Sequence, residues 1–322
     1  MRPLELGPNQ IERFYLGGAR IAAFRGLAAG ADHGPEDWVG SATVVFGERE
    51  LGRSRLAGGE LLADVLAADP EAVFEAAHLA AYGAEPSLLV KLLDAGQRLP
   101  VHFHPDDAFA QSRLGVPHGK TEAWIILEAE PDASVHLGFA RDIEADELAR
   151  WVDAQAADSM IASMNRLPVV AGDAIFVPAG LAHVIGEGIL LLELQQPSDL
   201  SLLLEWNGVV GSENDAFLGL TAAQALDAAR RSRVTPDELA ALTSSRRCAF
   251  FPAEADVFFR AEVVSGGDVL EPGFSVLVVT DGEGALDELP LRRGSTVLVP
   301  YAAGACAVTG SVRAVRCRPP LP

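Results

Sequence analysis

The chain has 322 residues, 49% hydrophobic and 22% charged, which excludes a disordered protein and leaves room for two domains or one large β-rich domain. A formal charge of -20 argues against nucleic acid or an anionic membrane as partner, because both repel such a surface. It also makes a phosphorylated substrate depend on locally placed cations.

In chain order, Ala42-Thr-Val-Val-Phe46 is the first β-prone run. Residues near 59–82 read as a helical insertion, in which Asp69-Pro70-Glu71 supplies N-cap, N1 and N2 ahead of Val73, Phe74 and Ala77, and Gly83 ends the helix. Trp124-Ile-Ile-Leu127 reads as a strand, residues near 142–165 as a second helical stretch, and Ala174-Ile-Phe-Val177 and Ile189-Leu-Leu-Leu-Glu193 as further strands. Thr221-Ala-Ala-Gln224 and Thr235-Pro-Asp-Glu238 are capping-box patterns that open two short helices. Strands return beyond residue 246, with the apolar run Phe274 to Val279 and a Thr280-Asp-Gly-Glu-Gly284 turn cluster. This pattern predicts a mainly β fold of sandwiches or barrels with a small helical portion.

The chemistry concentrates in three histidines. His102-Phe103-His104 places two imidazoles on one face of a strand, since successive strand side chains alternate, and His183 closes the run Gly172-x5-Pro178-x-Gly180-x2-His183. Together they read as one metal site. Gly172 is followed after five residues by Pro178, and Gly294 after five residues by Pro300, an internal echo that suggests two related domains. The second copy has Ala305 where the first has His183, and no histidine follows His183, so only the first can hold a histidine-ligated metal. His33, His78, His118 and His136 have no motif around them and read as structural, while Asp106 and Asp107 read as turn-forming.

The 25 basic residues include only two lysines, Lys91 and Lys120. A lysine kept between Gly119 and Glu122 in an arginine-biased chain suggests a titratable amine, because burial can shift a lysine toward neutrality whereas arginine stays charged. Cys248, Cys306 and Cys317 are odd in number and lack a CxxC spacing, as expected of reduced thiols. No apolar run approaches the roughly 18 residues that span a bilayer, and a soluble cytoplasmic protein is expected.

Gly96, five residues and His102-x-His104, followed by the Gly172-to-His183 segment, resemble the two motifs of the cupin superfamily. Leu88-Leu-Val-Lys91-Leu-Leu-Asp94, His104-Pro-Asp-Asp107, Gly119-Lys-Thr-Glu122-Ala-Trp124 and Leu192-Glu193-Leu-Gln-Gln-Pro-Ser-Asp199 are similar to type I mannose-6-phosphate isomerases, most densely over residues 88–199. The resemblance implies a bicupin of two jelly-roll domains. The expected division is a metal-binding domain over 1–215 with helical insertions near 59–82 and 142–165, a helical bridge over 216–245, and a C-terminal cupin without metal ligands over 246–322. It also implies one divalent ion, zinc first, on His102, His104, Glu122 and His183. With His rather than Gln or Lys at position 102, the set of three imidazoles and one carboxylate also suits manganese, iron, cobalt or nickel.

The implied reaction is mannose 6-phosphate to fructose 6-phosphate through an enediol, with Lys120 and Glu193 as catalytic candidates and Lys120, Asp199 and Lys91 at the substrate. One position departs from the family: Leu203 stands where its members carry an arginine, and no arginine occurs between Arg166 and Arg230. Arg98 or Arg113 could replace that cation. Otherwise the substrate is a neutral sugar or another small polar molecule. A metal-dependent cupin oxygenase or lyase and a non-catalytic sugar-binding cupin are the alternatives. Nothing in the sequence sets the oligomeric state.

Overall fold

The computed structural model describes residues 1–28, 32–244 and 250–322; Cys248 and the expected start of the C-terminal unit at residue 246 lie outside the described residues. Four antiparallel sheets dominate, and they stack in pairs. The first pair sets a seven-stranded sheet, in the order Thr243–Ser244, Ala174–Val177, Glu122–Ala129, Ile189–Gln195, Leu89–Ala95, Glu36–Val39 and Gln10–Ile11, against a five-stranded one. The five strands are Leu202–Leu203, His102–Phe103, His183–Ile185, Ser134–Phe139 and Met164–Pro168. Helices accompany the sheets, as the mainly β reading with a small helical portion requires.

The unbroken apolar run Ile189–Leu194 has a physical cause: its strand is buried on both faces. Ile189 and Leu191 point into the sandwich with Leu93, Trp124, Ile126 and Ile185. Leu190, Leu192 and Leu194 point the other way, onto Phe259, Phe274, Val276 and Val315 of the C-terminal part. Burying each such side chain stabilises the fold by roughly 1.5–3 kcal/mol, so the central strand is held from two sides.

The second pair comprises a five-stranded sheet (Leu4–Glu5, Thr296–Val299, Ser275–Asp281, Arg313–Arg318, Arg260–Ser265) and a four-stranded one (Val269–Leu270, Cys306–Gly310, Glu283–Leu286, Leu289–Arg292). The chain's first strand, Leu4–Glu5, thus pairs with Val297 and Leu298 near its end. The Gly-to-Pro echo takes the same local form twice: Gly172 and Gly294, with φ of +98° and +85°, precede the strands Ala174–Val177 and Thr296–Val299, which end at Pro178 and Pro300.

Three local expectations meet different outcomes. Ala42–Phe46 forms no strand; Glu36–Val39 pairs there instead, with Trp38 opposite Lys91, and Phe46 lines a cavity. Asp69 caps as expected, accepting from Ala72 N, yet the helix stops at Val73 and a second runs from Ala76 to Tyr82, ending at Gly83. The break is Phe74, whose backbone turns extended so that its ring packs on Phe274 and His78. Thr221 and Gln224 form the reciprocal capping box. Thr235 also caps, but Glu238 turns away to Arg230.

His78 is structural, and its burial has a measurable consequence. Its Nε2 donates to the Glu85 carbonyl at 2.7 Å, while Nδ1 is buried without a hydrogen-bond partner. Protonating Nδ1 would leave a buried donor unmatched, so burial lowers the His78 pKa from its ordinary value. The unfolded chain then binds the extra proton first. This contribution to stability is complete above the unfolded value near 6.5 and is lost as pH falls below it. In urea titrations, His78→Gln should flatten the decline in unfolding free energy between about pH 6.5 and 5; an unchanged slope would clear His78 of that role.

Among the described residues, no helix is long and apolar enough to cross a membrane.

Candidate active site

The site lies between the two sheets of the first sandwich, and strand register builds it. Period-two alternation puts Lys91, Glu122 and Glu193 on the inner face of the seven-stranded sheet, where Glu193 stands opposite both Lys91 and Trp124. From the facing sheet, His183 pairs directly with His102, and Leu203 lies on the other side of His102. His104 follows the end of its strand.

His102, His104 and His183 offer ligand atoms within 4.8 Å of one another. Their tautomers are set from behind. Nδ1 of His102 donates to Pro100 O at 2.8 Å, that of His104 to Leu200 O at 2.7 Å, and that of His183 to Leu181 O at 2.8 Å. Each Nε2 is left as an inward-facing lone pair, the arrangement in which imidazole binds a metal. Burial above all lowers all three pKa values to about 3, so the rings stay neutral. Nε2 of His183 is buried with no hydrogen-bond partner, as a group awaiting a ligand would be.

Glu122 joins this cluster. Its Oε2 lies 3.0 Å from His104 Nε2, its Oε1 3.4 Å from His183 Nε2, and Trp124 Nε1 donates to Oε1 at 3.0 Å. Three imidazoles and one carboxylate fit a divalent ion.

Lys120 reaches the same place because two motif loops are strapped together. Lys120 N donates to Pro105 O at 2.9 Å, and Asp107 accepts from Gly119 N and Gln196 Nε2, so Asp107 does more than form a turn. Position 119 must be glycine, since a Cβ there would lie 2.3 Å from Pro105 O. The Lys120 ammonium sits 2.7 Å from Glu122 Oε2, 3.2 Å from Glu193 Oε1 and 3.1 Å from His104 Nε2. The expected shift toward neutrality does not occur: burial favours it, but Glu122 and Glu193 hold the amine above its ordinary pKa. The Glu193 pKa is raised as well, to about 7, pushed by burial against the pull of Lys120 and helped by the neighbouring Glu122, so this carboxyl moves toward neutrality.

Asp199 and Lys91 belong to a second group that the sequence left largely hidden. Arg13 Nη2 donates to Asp199 Oδ1 at 2.6 Å and its Nε lies 3.1 Å from Glu36 Oε1, while Lys91 Nζ is 3.4 Å from Glu36 and 4.0 Å from Asp199. Trp38 supports both cations with its ring and donates Nε1 to Glu36. Burial would raise the Glu36 pKa, yet Arg13 and Lys91 hold it well below the usual carboxylate range. Arg13, Glu36, Lys91, Lys120, Glu193 and Asp199 all line one cavity of about 330 Å³.

Neither cation considered as a substitute for the missing arginine is available. Arg98 is held bidentately by Glu205, which also accepts from Val101 N, and Arg113 lines a separate surface recess with Asp106 and Gly180. Leu203 contributes an apolar wall to the cavity.

No protein-family model matches the chain. Individual relatives do. A mannose-6-phosphate isomerase of Bacillus subtilis is 29% identical over 236 residues, covering 69% of this chain and 72% of that protein. One of Streptococcus mutans is 40% identical over 112 residues, 35% of this chain and 34% of that protein. The crystal structure of the mannose 6-phosphate isomerase from Bacillus subtilis superposes on 99% of this chain and 100% of its own, with TM-score 0.76 and 23% identity. By sequence the chain is similar to proteins named mannose-6-phosphate isomerase, and it shares the cupin fold of the solved isomerase structures. A mannose 6-phosphate isomerase bound with zinc and yttrium also shares the fold over the full length of both chains, with TM-score 0.73 and 15% identity. Relative to the isomerase pattern quoted for residues 88–199, the structure brings together all four candidate ligands with Lys120 and Glu193, and sets Lys91 and Asp199 beside them.

Proposed function

We propose that the chain is a metal-dependent aldose–ketose isomerase that interconverts mannose 6-phosphate and fructose 6-phosphate through an enediol. The observation that carries this reading is the inward-facing histidine trio with Glu122, lying against the Lys120–Glu193 pair. His102, His104, His183 and Glu122 would hold one divalent ion, for which zinc is the first choice because a fold neighbour carries it. When bound, the ion supplies positive charge that stabilises the oxyanion developing on the sugar.

The chain's own groups move the protons. Glu193, buried and only partly ionised near neutral pH, accepts the proton from C2 and returns it to C1. Lys120, an ammonium at rest, gives a proton to O1 as the enediol forms and takes one back from the O2 hydroxyl as it collapses, while its 3.2 Å contact with Glu193 keeps the two groups together. The Arg13, Glu36, Lys91 and Asp199 group offers donors and acceptors in fixed directions to the sugar hydroxyls. Leu203 and Leu93 keep the adjoining wall dry. The free, buried thiols Cys306 and Cys317 accord with a cytoplasmic setting.

The test is metal analysis of the purified protein with an assay of mannose 6-phosphate turnover, and free mannose in parallel. About one ion per chain is expected, a chelator should abolish turnover, and added zinc should restore it. Full metal loading with no turnover of either sugar would defeat the proposal.

A further inference from the structure

A second cavity, of about 660 Å³, adjoins the active-site cleft. Both count Phe46 and Asp199 among their walls, so these two side chains form the partition between them. The two chambers differ in charge chemistry. In the active-site cleft every cation is already matched: Arg13 and Lys91 by Glu36 and Asp199, Lys120 by Glu122 and Glu193. In the neighbouring chamber Arg53 is not matched. Among the described residues its guanidinium makes no ion pair or hydrogen bond, and its Nε is buried without a partner. Glu85, which also lines the chamber, gives its backbone carbonyl to His78 and does not approach Arg53 within ion-pair distance. His118 and Ser198 add polar groups to an otherwise mainly apolar lining.

A half-buried guanidinium with an unsatisfied donor costs free energy unless something occupies it, and its planar fork suits the oxygens of a phosphoryl group. We infer that the chamber behind Phe46 and Asp199 binds a phosphoryl group, with Arg53 as its charge partner. The inference deepens the isomerase reading, because it supplies the cation that Leu203 removes from the cleft, and its kinetic test rests on that reading. The phosphoryl group belongs either to the substrate, lying across the partition, or to a separate small anion.

Kinetics of Arg53→Leu with mannose 6-phosphate and free mannose, together with calorimetric titration of the metal-loaded protein with inorganic phosphate, separate these sources. For a substrate phosphate, KM for mannose 6-phosphate rises about tenfold or more, while kcat and the kinetics of free mannose stay as they were. For a separate anion, inorganic phosphate binds the wild type in the presence of saturating mannose, and the variant loses that binding without a change in KM. Arg53→Gln, which keeps most of the volume and polarity, repeats both measurements should the leucine variant fold poorly. Wild-type KM and wild-type phosphate binding in the variants would overturn the inference, as would equal losses on mannose and mannose 6-phosphate. Absence of turnover in the wild type would defeat the isomerase reading alone and leave the phosphate titration to judge the chamber.

Discussion

His183→Ala should reduce the metal content from about one ion per chain to less than about a tenth, and turnover by at least about 10³-fold. His183 is fully buried, and its inward Nε2 has no hydrogen-bond partner in the protein. Alanine removes that lone pair and leaves two imidazoles and Glu122, too few to close a tetrahedral site against water. At 1.4 kcal/mol per tenfold, the loss of turnover corresponds to about 4 kcal/mol of transition-state stabilisation. The variant also leaves Leu181 O without its donor at 2.8 Å, so the metal-free protein should be less stable by roughly 1–3 kcal/mol. Elemental analysis of the folded variant decides the matter. Unchanged metal content would remove His183 from the ligand set, whatever happened to activity.

The histidine trio was legible because its information is local. His102 and His104 sit two apart, one in a strand and one just past its end, and His183 closes a segment whose glycine and proline mark the ends of another strand. Only their convergence needed the fold, and register delivers it by pairing His183 with His102. Arg13 and Glu36 carried no such signal. Arg13 meets Asp199 across 186 positions and Glu36 across 23, and neither residue lies in a patterned segment. The one available hint was Trp38 near Lys91, and it required knowing that their strands pair. Arg53 was equally invisible, since a cation's lack of a partner is a property of the folded chain alone. Elsewhere tertiary packing overrode local preference. The run Ala42–Phe46 has strand propensity but walls two cavities, and Phe74 interrupts a well-capped helix to reach Phe274. The charge state of Lys120 was not legible for a related reason. Burial alone favours the neutral amine, but two buried carboxylates within 3.2 Å outweigh it.

Those two carboxylates make Lys120 the position where charge and proton transfer can be told apart. Lys120→Met should lower turnover by about 10²–10⁴-fold, the usual range for a lost general acid. It should also destabilise the metal-free protein by about 3–5 kcal/mol, because Glu122 and Glu193 would face each other in a buried site without their shared cation. Metal should offset much of that second loss, since a divalent ion on Glu122 supplies the missing positive charge. Lys120→Arg keeps the charge and removes the proton carrier, as a guanidinium does not deprotonate in proteins. It should therefore retain metal and most of the stability while turnover stays near that of Lys120→Met. Chemical denaturation with and without metal, alongside kcat for all three proteins, separates the contributions. If Lys120→Arg turns over near the wild-type rate, Lys120 serves only as a charge holding Glu122 and Glu193 in place, and the proton must travel through Glu193 alone.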